Sequence, residues 1–507
     1  MCIKQFNEIK KKQNRQVGEI YNERWLETIG KKKHEITVEI IGGNAEGVTG
    51  SCTRIKTPEH CYLFECGMIQ GNHTVLENYR ANMKYIQKVR PQEIEFIIVG
   101  HLHADHIAMI PTLYARGKCN AKIIVPKGST SILKEMWLDS SFINCRDVEL
   151  LNLKNDRNYD PFYTEDTVYK TLEYIKEVDS DKIVSLSDEL AIRYTDAGHI
   201  LLSKQCEVYI NGGSHTRKIL FSSDLGNIAT QDTRVFVEDF KPVSSANIAI
   251  MECTYCSKER QCTKETYKKD VEKIKSVIEQ YCVDNNARVL IPSFSLDRTP
   301  YILWILYSLF GKDENFKVPV LIDSPLANRL LDCYSSILEG DKKESFDEMM
   351  SWKNIKRIIT PEDSKAAITD KCAKVILSSS GMLNAGRSVK WVQNILPREC
   401  DCILFMGYCS EGTLAWKIKH EKEHKTININ GKPYKNKCQV YDLKSFSSHM
   451  QHDDLIKYYK NINCDRIYLV HGDSNKIEFK HELEDAITAC LKSTKVIAVN
   501  NGTKISL

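Results

Sequence analysis

From residue 36 onward, short apolar runs alternate with polar turns. "EITVEIIG", "CYLFEC", "EFIIVG" and "AKIIVP" are of strand length and bounded by turn signals, so they predict strands. "TSILKEMWLDSSF" and "TEDTVYKTLEYIKEV" carry apolar residues at helical spacing and predict helices. A second α/β stretch begins near 245. There "ANIAIME", "ARVLIPSF", "VPVLIDSP" and "KVILSSSG" predict buried strands, alternating with helices in "KDVEKIKSVIEQY" and "TPYILWILYSLF". Near 426 hairpin texture returns, with an Asn-Gly turn inside "TININGKPYKNKCQVYDL". Ahead of all this, Val17, Ile20, Tyr21, Trp25 and Ile29 recur at helical spacing and predict an amphipathic helix over 16–30. Its plain reading is a helix docked on the main body; a partner-binding or substrate-guiding arm is the sharper one.

Composition changes this picture little. The chain has 507 residues, 42% of them hydrophobic and 27% charged, which suits two or three folded domains. A net charge of +4 excludes a histone-like binder but leaves room for a local basic groove, as in "WKIKHEKEHKTININGKPYKNK". The longest apolar runs fall short of a membrane span, and the first residues lack the apolar core of a signal peptide. Nineteen cysteines without a framework suggest a reducing, cytoplasmic home.

Candidate chemistry is concentrated in "FIIVGHLHADHIAMIP", residues 96–111, which places His101, His103, Asp105 and His106 within six positions after an apolar strand. In extended chain, residues two apart point the same way, so His101 and His103 can reach one cation. If the chain then turns helical, Asp105 and His106 can face a neighbouring one. Nitrogen donors with carboxylates suit zinc best, with manganese or iron behind it. Further ligands have to come from later strand ends, and His199, Asp224 and His471 are the candidates.

"HLHADH" followed by "DAGH", "SSDLGN" and "LVHGD" resembles the metallo-β-lactamase fold. "MECTYC", "IPSFSLDRTPYIL", "IDSPLA", "ILSSSGMLNAGR", "LFMGYCSEGTLA" and "SFSSHMQHDDL" resemble, in order, the β-CASP group of that superfamily, nearest its RNA-processing exonuclease and cleavage-and-polyadenylation endonuclease branch. The resemblance implies an α/β protein. An αββα metallo-β-lactamase sandwich would span 36–244 and 427–507. An inserted α/β β-CASP domain would span 245–426, and 1–35 would be a helical extension.

It also implies a zinc-dependent ribonuclease holding two Zn²⁺, with Mn²⁺ as an alternative. His101, His103 and His199 would hold the first ion and Asp105, His106 and His471 the second, with Asp224 bridging. A metal-bound hydroxide would attack phosphorus, and Asp105 could help activate it. His449 would protonate the leaving oxygen and Glu252 would orient His449. Ser379, Ser380, Gly381, Arg387, Arg298 and Ser448 lie in turns matching phosphate-facing loops. Either arginine equally suits an ion pair that holds the fold. The implied partner is RNA, acted on internally or from the 5′ end. Single-stranded DNA, an RNA-binding scaffold with weak activity, and a homodimer are the alternatives. The sequence departs from the family pattern at Glu65, Cys256, Cys409 and Trp416; these departures bear on substrate handling rather than on the metal site.

Overall fold

The computed structural model describes residues 35–507 apart from 44–46, 72–73, 156–157, 212–214, 258–261, 408, 422–424, 473–476 and 492. The helix expected at 16–30 lies outside the described residues.

Two seven-stranded sheets face each other. The first runs in the order Lys504–Ser506, Thr37–Ile40, Thr53–Lys56, Cys61–Phe64, Phe96–Ile98, Lys122–Pro126 and Ile175–Val178. The second runs Lys495–Ala498, Arg466–Val470, Ile248–Glu252, Thr216–Phe221, Lys204–Asn211, Leu190–Asp196 and Val184–Ser185. Strand alternation decides what lies between them. Val38, Ile40, Tyr62 and Phe64 of the first sheet meet Tyr194, Cys206, Val208, Phe221 and Tyr468 of the second in one apolar layer. Phe64 stacks on Phe221 at a centroid distance of 4.1 Å. Helices cover both outer faces, among them Ser129–Asn155 on the first and His452–Tyr459 with Ile477–Thr488 on the second. The layering is αββα.

The predicted helix in 164–178 is only half right. It stops at Leu172, and Ile175–Val178 pairs parallel to Ile123–Pro126 as the edge of the first sheet. Sheet pairing overrides a helical spacing that continues through "YIKEV".

A third sheet has six strands, all parallel, in the order Ile355–Arg357, Val320–Ile322, Lys374–Ser378, Arg288–Pro292, Cys402–Met406 and Gln439–Leu443. Every strand therefore ends on the same side. Asp297, Ser379, Gly407 and Ser448 all follow carboxyl ends, where open parallel sheets carry their sites. The sheets divide the chain a little differently from the textural breaks at 245 and 426. Ile248–Glu252 lies in the second sheet, whereas Gln439–Leu443 belongs to the third. The Thr426–Lys435 hairpin packs Ile427 and Ile429 into the inserted layer as well. The hairpin thus packs with the third sheet.

Candidate metal centre

The strand Phe96–Ile98 ends in a loop that turns into the short helix Ala104–Ile107. This loop is clamped through its backbone. The carbonyls of Ala104, Asp105 and His106 accept hydrogen bonds from the N–H groups of Met68, Ser51 and Cys66, at 2.8–3.0 Å. Gly67 makes the approach feasible, because a Cβ there would lie 1.5 Å from the Asp105 carbonyl oxygen. His199 sits in the turn between Leu190–Asp196 and Lys204–Asn211, where Ser203 Oγ accepts the N–H groups of His199 and Ile200. The ion pair of Asp196 with Lys204, partners in register, closes that turn at its base. Gly226 is needed beside it, since a Cβ would lie 1.9 Å from the Gly198 carbonyl oxygen. Asp224 follows the strand Thr216–Phe221, and His471 follows Arg466–Val470.

The seven side chains meet. His101, His103, His199 and Asp224 form one group and Asp105, His106 and His471 another, each with donor atoms within 4.8 Å of one another. Asp224 faces both. Its Oδ2 lies 3.6 Å from His101 Nε2 and 3.7 Å from His199 Nε2, and its Oδ1 lies 3.3 Å from His106 Nε2 and 3.5 Å from His471 Nε2. His106 Nε2, His199 Nε2 and Asp224 Oδ1 are buried and make no hydrogen bond. Buried polar atoms in folded proteins are almost always satisfied, so three converging on one space call for a cation. The opposite edges of the rings are held: His106 Nδ1 by Glu65 Oε2 at 2.6 Å, His471 Nδ1 by Thr254 Oγ1 at 2.8 Å, and His199 Nδ1 by the Ser448 carbonyl at 3.3 Å. Such partners fix the ring and its tautomer, as in known metal sites. The donor set fits one or two cations of the zinc or manganese kind.

Charge agrees. Burial, joined by the neighbouring rings of His103 and His106, holds His101 well below the ordinary histidine value. Burial and His449 do the same for His199, which leaves both rings neutral. Burial also acts on His106 and His471, but carboxylates outweigh it. Glu65 and Asp224 hold His106 well above its usual value, and Asp224 with Asp105 pushes His471 up to about 9. Asp224 is buried, yet His471, His106 and His101 keep it well below the carboxylate range. A cation held by His106 and His471 would have to displace the protons on those two rings.

His449 stands beside this cluster, outside both donor groups. Its ring centroid is 4.4 Å from that of His199, and Tyr255 meets it edge-on at 5.9 Å. Its Nδ1 is 3.4 Å from Glu252 Oε1. That carboxylate is buried and anchored, accepting the N–H groups of Leu225 at 2.7 Å and Thr254 at 3.0 Å.

The expected phosphate contacts divide. Arg298 donates to Ser448 Oγ at 3.4 Å, and its Nη1 is buried without a hydrogen bond. Ser379, Ser380 and Gly381 close the turn after Lys374–Ser378; Ser379 Oγ lies 2.7 Å from Ser295 Oγ, and Ser380 Oγ accepts the Asn384 N–H. For Arg387 the structure shows the ion pair that was its other reading: its guanidinium donates to Asp323 at 2.7 Å and to the carbonyls of Ile358 and Ile359, and so braces the insertion. Glu65 is a correction. It accepts Ser51 and Ser223 hydroxyls and holds His106, so this departure belongs to the metal site. Thr254, Asp297 and Arg234 went unread in the sequence. A buried carboxylate directly after the apolar "CYLF" was the available signal for Glu65. Only the fold brings the other three to the site.

Comparisons with known proteins agree with this architecture. A Beta-Casp domain matches residues 299–418, and a Zn-dependent metallo-hydrolase RNA specificity domain matches 433–488. A ribonuclease of Thermus thermophilus is 25% identical over 441 residues, covering 86% of this chain and 93% of its own. The transcription termination factor FttA of Methanosarcina mazei is 24% identical over 470 residues, covering 88% and 70%. The endoribonuclease YSH1 of Eremothecium gossypii is 24% identical over 453 residues, covering 86% and 54%. A crystal structure of a protein of unknown function from Enterococcus faecalis superposes with a TM-score of 0.52 at 11% identity, over 94% of this chain and 100% of that one; it speaks to the fold alone. Two matched domains in the expected order, relatives matched over 86–88% of this chain and the seven-residue cluster lead to one statement: the chain carries the domains of the β-CASP group of the metallo-β-lactamase superfamily.

Proposed function

We propose that this protein is a metal-dependent ribonuclease that hydrolyses phosphodiester bonds of RNA where the insertion meets the sandwich. One observation carries the reading: Asp224 presents one oxygen to each of two donor groups, and a histidine that belongs to neither stands 4.4 Å from His199. Two Zn²⁺ are the proposed occupants, held by His101, His103 and His199 on one side and Asp105, His106 and His471 on the other, with Asp224 shared. Bound there, such cations lower the pKa of a water to near neutrality and offset charge on the phosphoryl oxygens.

The chain supplies the remainder. Asp105 and Asp224 would orient water and phosphate, and Asp105 would accept a hydrogen bond from that water. His449 delivers a proton to the leaving oxygen, with Glu252 at its Nδ1 turning the other nitrogen toward substrate. Arg298 lends its free Nη1 to a non-bridging oxygen, and Ser448 Oγ lies beside it. The turn at Ser379, Ser380 and Gly381 takes a more distant phosphate.

The test uses 5′-labelled RNA with monophosphate or hydroxyl ends, beside matched single-stranded DNA, with bound metal measured in the same preparation. Wild type cuts RNA, and folded Asp224→Ala does not. Unchanged turnover in that variant removes the centre from the reaction, and preference for DNA replaces the substrate.

A further inference from the structure

Asp297 adopts φ +67° and ψ −55°, a conformation that side chains other than glycine avoid. The Arg298 N–H donates to the Leu296 carbonyl at 2.9 Å across it, so Asp297 is the centre of a tight three-residue turn opening the helix Arg298–Phe310. This turn sends a carboxylate out of the insertion and into the sandwich. Arg234 Nη2 meets it there, 2.7 Å from each carboxylate oxygen, with both side chains buried. Strain of this kind persists only when its surroundings hold it in place.

The pair reaches both halves of the site. Arg234 Nη1 donates to the Gly198 carbonyl, next to His199, and to the Ser448 carbonyl, next to His449, each at 3.4 Å. That Ser448 carbonyl also faces His199 Nδ1 at 3.3 Å and accepts the Asn227 N–H at 2.9 Å. Ser448 Oγ donates back to Asp297 Oδ2 at 3.1 Å. Beside it, Thr233 Oγ1 and Tyr301 OH form a second contact across the same boundary, 2.9 Å apart. The metal-side histidine, the proton-donor segment and the insertion's first active-site turn thus share one buried ionic knot.

We propose that Arg234 and Asp297 are positioning residues: their ion pair locks the insertion to the sandwich so that His449 stands at a fixed distance from the metal-binding side chains. The proposal rests on the ribonuclease reading for its kinetic consequence, but not for its physical one. Neither residue belongs to the two donor groups. Loss of the pair therefore lowers the rate of the step that needs His449 in place more than it weakens the binding of RNA.

The experiment compares Asp297→Asn, Asp297→Gly and Arg234→Met in the full chain, with bound zinc, kcat, KM and hydrogen exchange measured for each. Asp297→Gly relieves the backbone strain, so it folds even if the others are weakened. All three are expected to keep wild-type zinc and a KM within about twofold, and to lose kcat by roughly tenfold or more. Combining Asp297→Asn with Arg234→Met adds no further loss, as befits two halves of one contact. Exchange rises in segments 197–203 and 446–451 and not across the central strands. Wild-type kcat in a folded, zinc-loaded variant overturns the proposal. So does a loss of kcat with unchanged exchange in those segments, or one that merely tracks lost zinc. Should the wild type prove unable to cut RNA, the functional reading falls and exchange alone judges the lock.

Discussion

Glu65 illustrates how one side chain can serve a site that it does not touch directly. Buried at a positive φ, it accepts two hydroxyls and the Nδ1 edge of His106, and so aims Nε2 at the shared space. Glu65→Gln keeps the volume but loses the charge. Zinc affinity is expected to fall about 10- to 100-fold, measured against a competing chelator. Retained affinity would leave Glu65 a structural role only. His449→Ala reads the opposite kind of residue: full zinc content with cleavage slower by roughly 10²-fold or more. A loss of zinc in that variant would make His449 a ligand. The four residues packed in "HLHADH" were legible because their spacing alone demands explanation, and the three distant members of the cluster because each follows a strand within a resembling motif. Arg387 was not. A guanidinium in a serine- and glycine-rich turn reads the same whether it faces a phosphate or, as here, Asp323.

Elements decide how firmly these residues are held. The hairpin of Leu190–Asp196 and Lys204–Asn211 carries His199 at its turn, and Asp196 binds Lys204 and, at 2.8 Å, Lys241. Burial by itself would raise the Asp196 pKa, but the two lysines bring it below the ordinary value. A depressed carboxylate stabilises the fold above its unfolded pKa of about 3.9, and that contribution vanishes as pH falls through the folded value. Asp196→Asn is therefore expected to lower stability near neutral pH and to flatten its decline below about pH 4, followed by urea unfolding at stepped pH. An unchanged acid limb would show that the pair carries no linkage. Most elements were readable because parallel strands buried on both faces are continuous apolar runs, as in "RVLIP" and "CILFM". The strand Ile175–Val178 escaped because an edge strand with two exposed charges looks like the last turn of a helix. The hairpin Thr426–Lys435 was readable as a hairpin. Its domain was not, since local alternation says nothing of which layer receives Ile427 and Ile429.

The whole molecule is joined through its centre. The cluster draws on loops from both sheets of the sandwich, so cations that bind it bind only the assembled fold. Stripping them with a chelator is expected to stop cleavage and lower the thermal midpoint by about 5 °C or more. A ligand at 1,000 times its Kd contributes about 4 kcal/mol, and each kcal/mol is worth about 2 °C in a chain larger than a small domain. Zinc or manganese restores both readings. A midpoint insensitive to chelation would mean that the donors are already satisfied without a cation.

His471 bonds Asp105 across 366 positions of chain, the whole insertion lying between them. A nascent polypeptide therefore carries six of the seven clustered side chains long before the last appears. Until His471 is made, the cluster lacks one of its side chains, so the site is completed only when almost the whole chain has been synthesised.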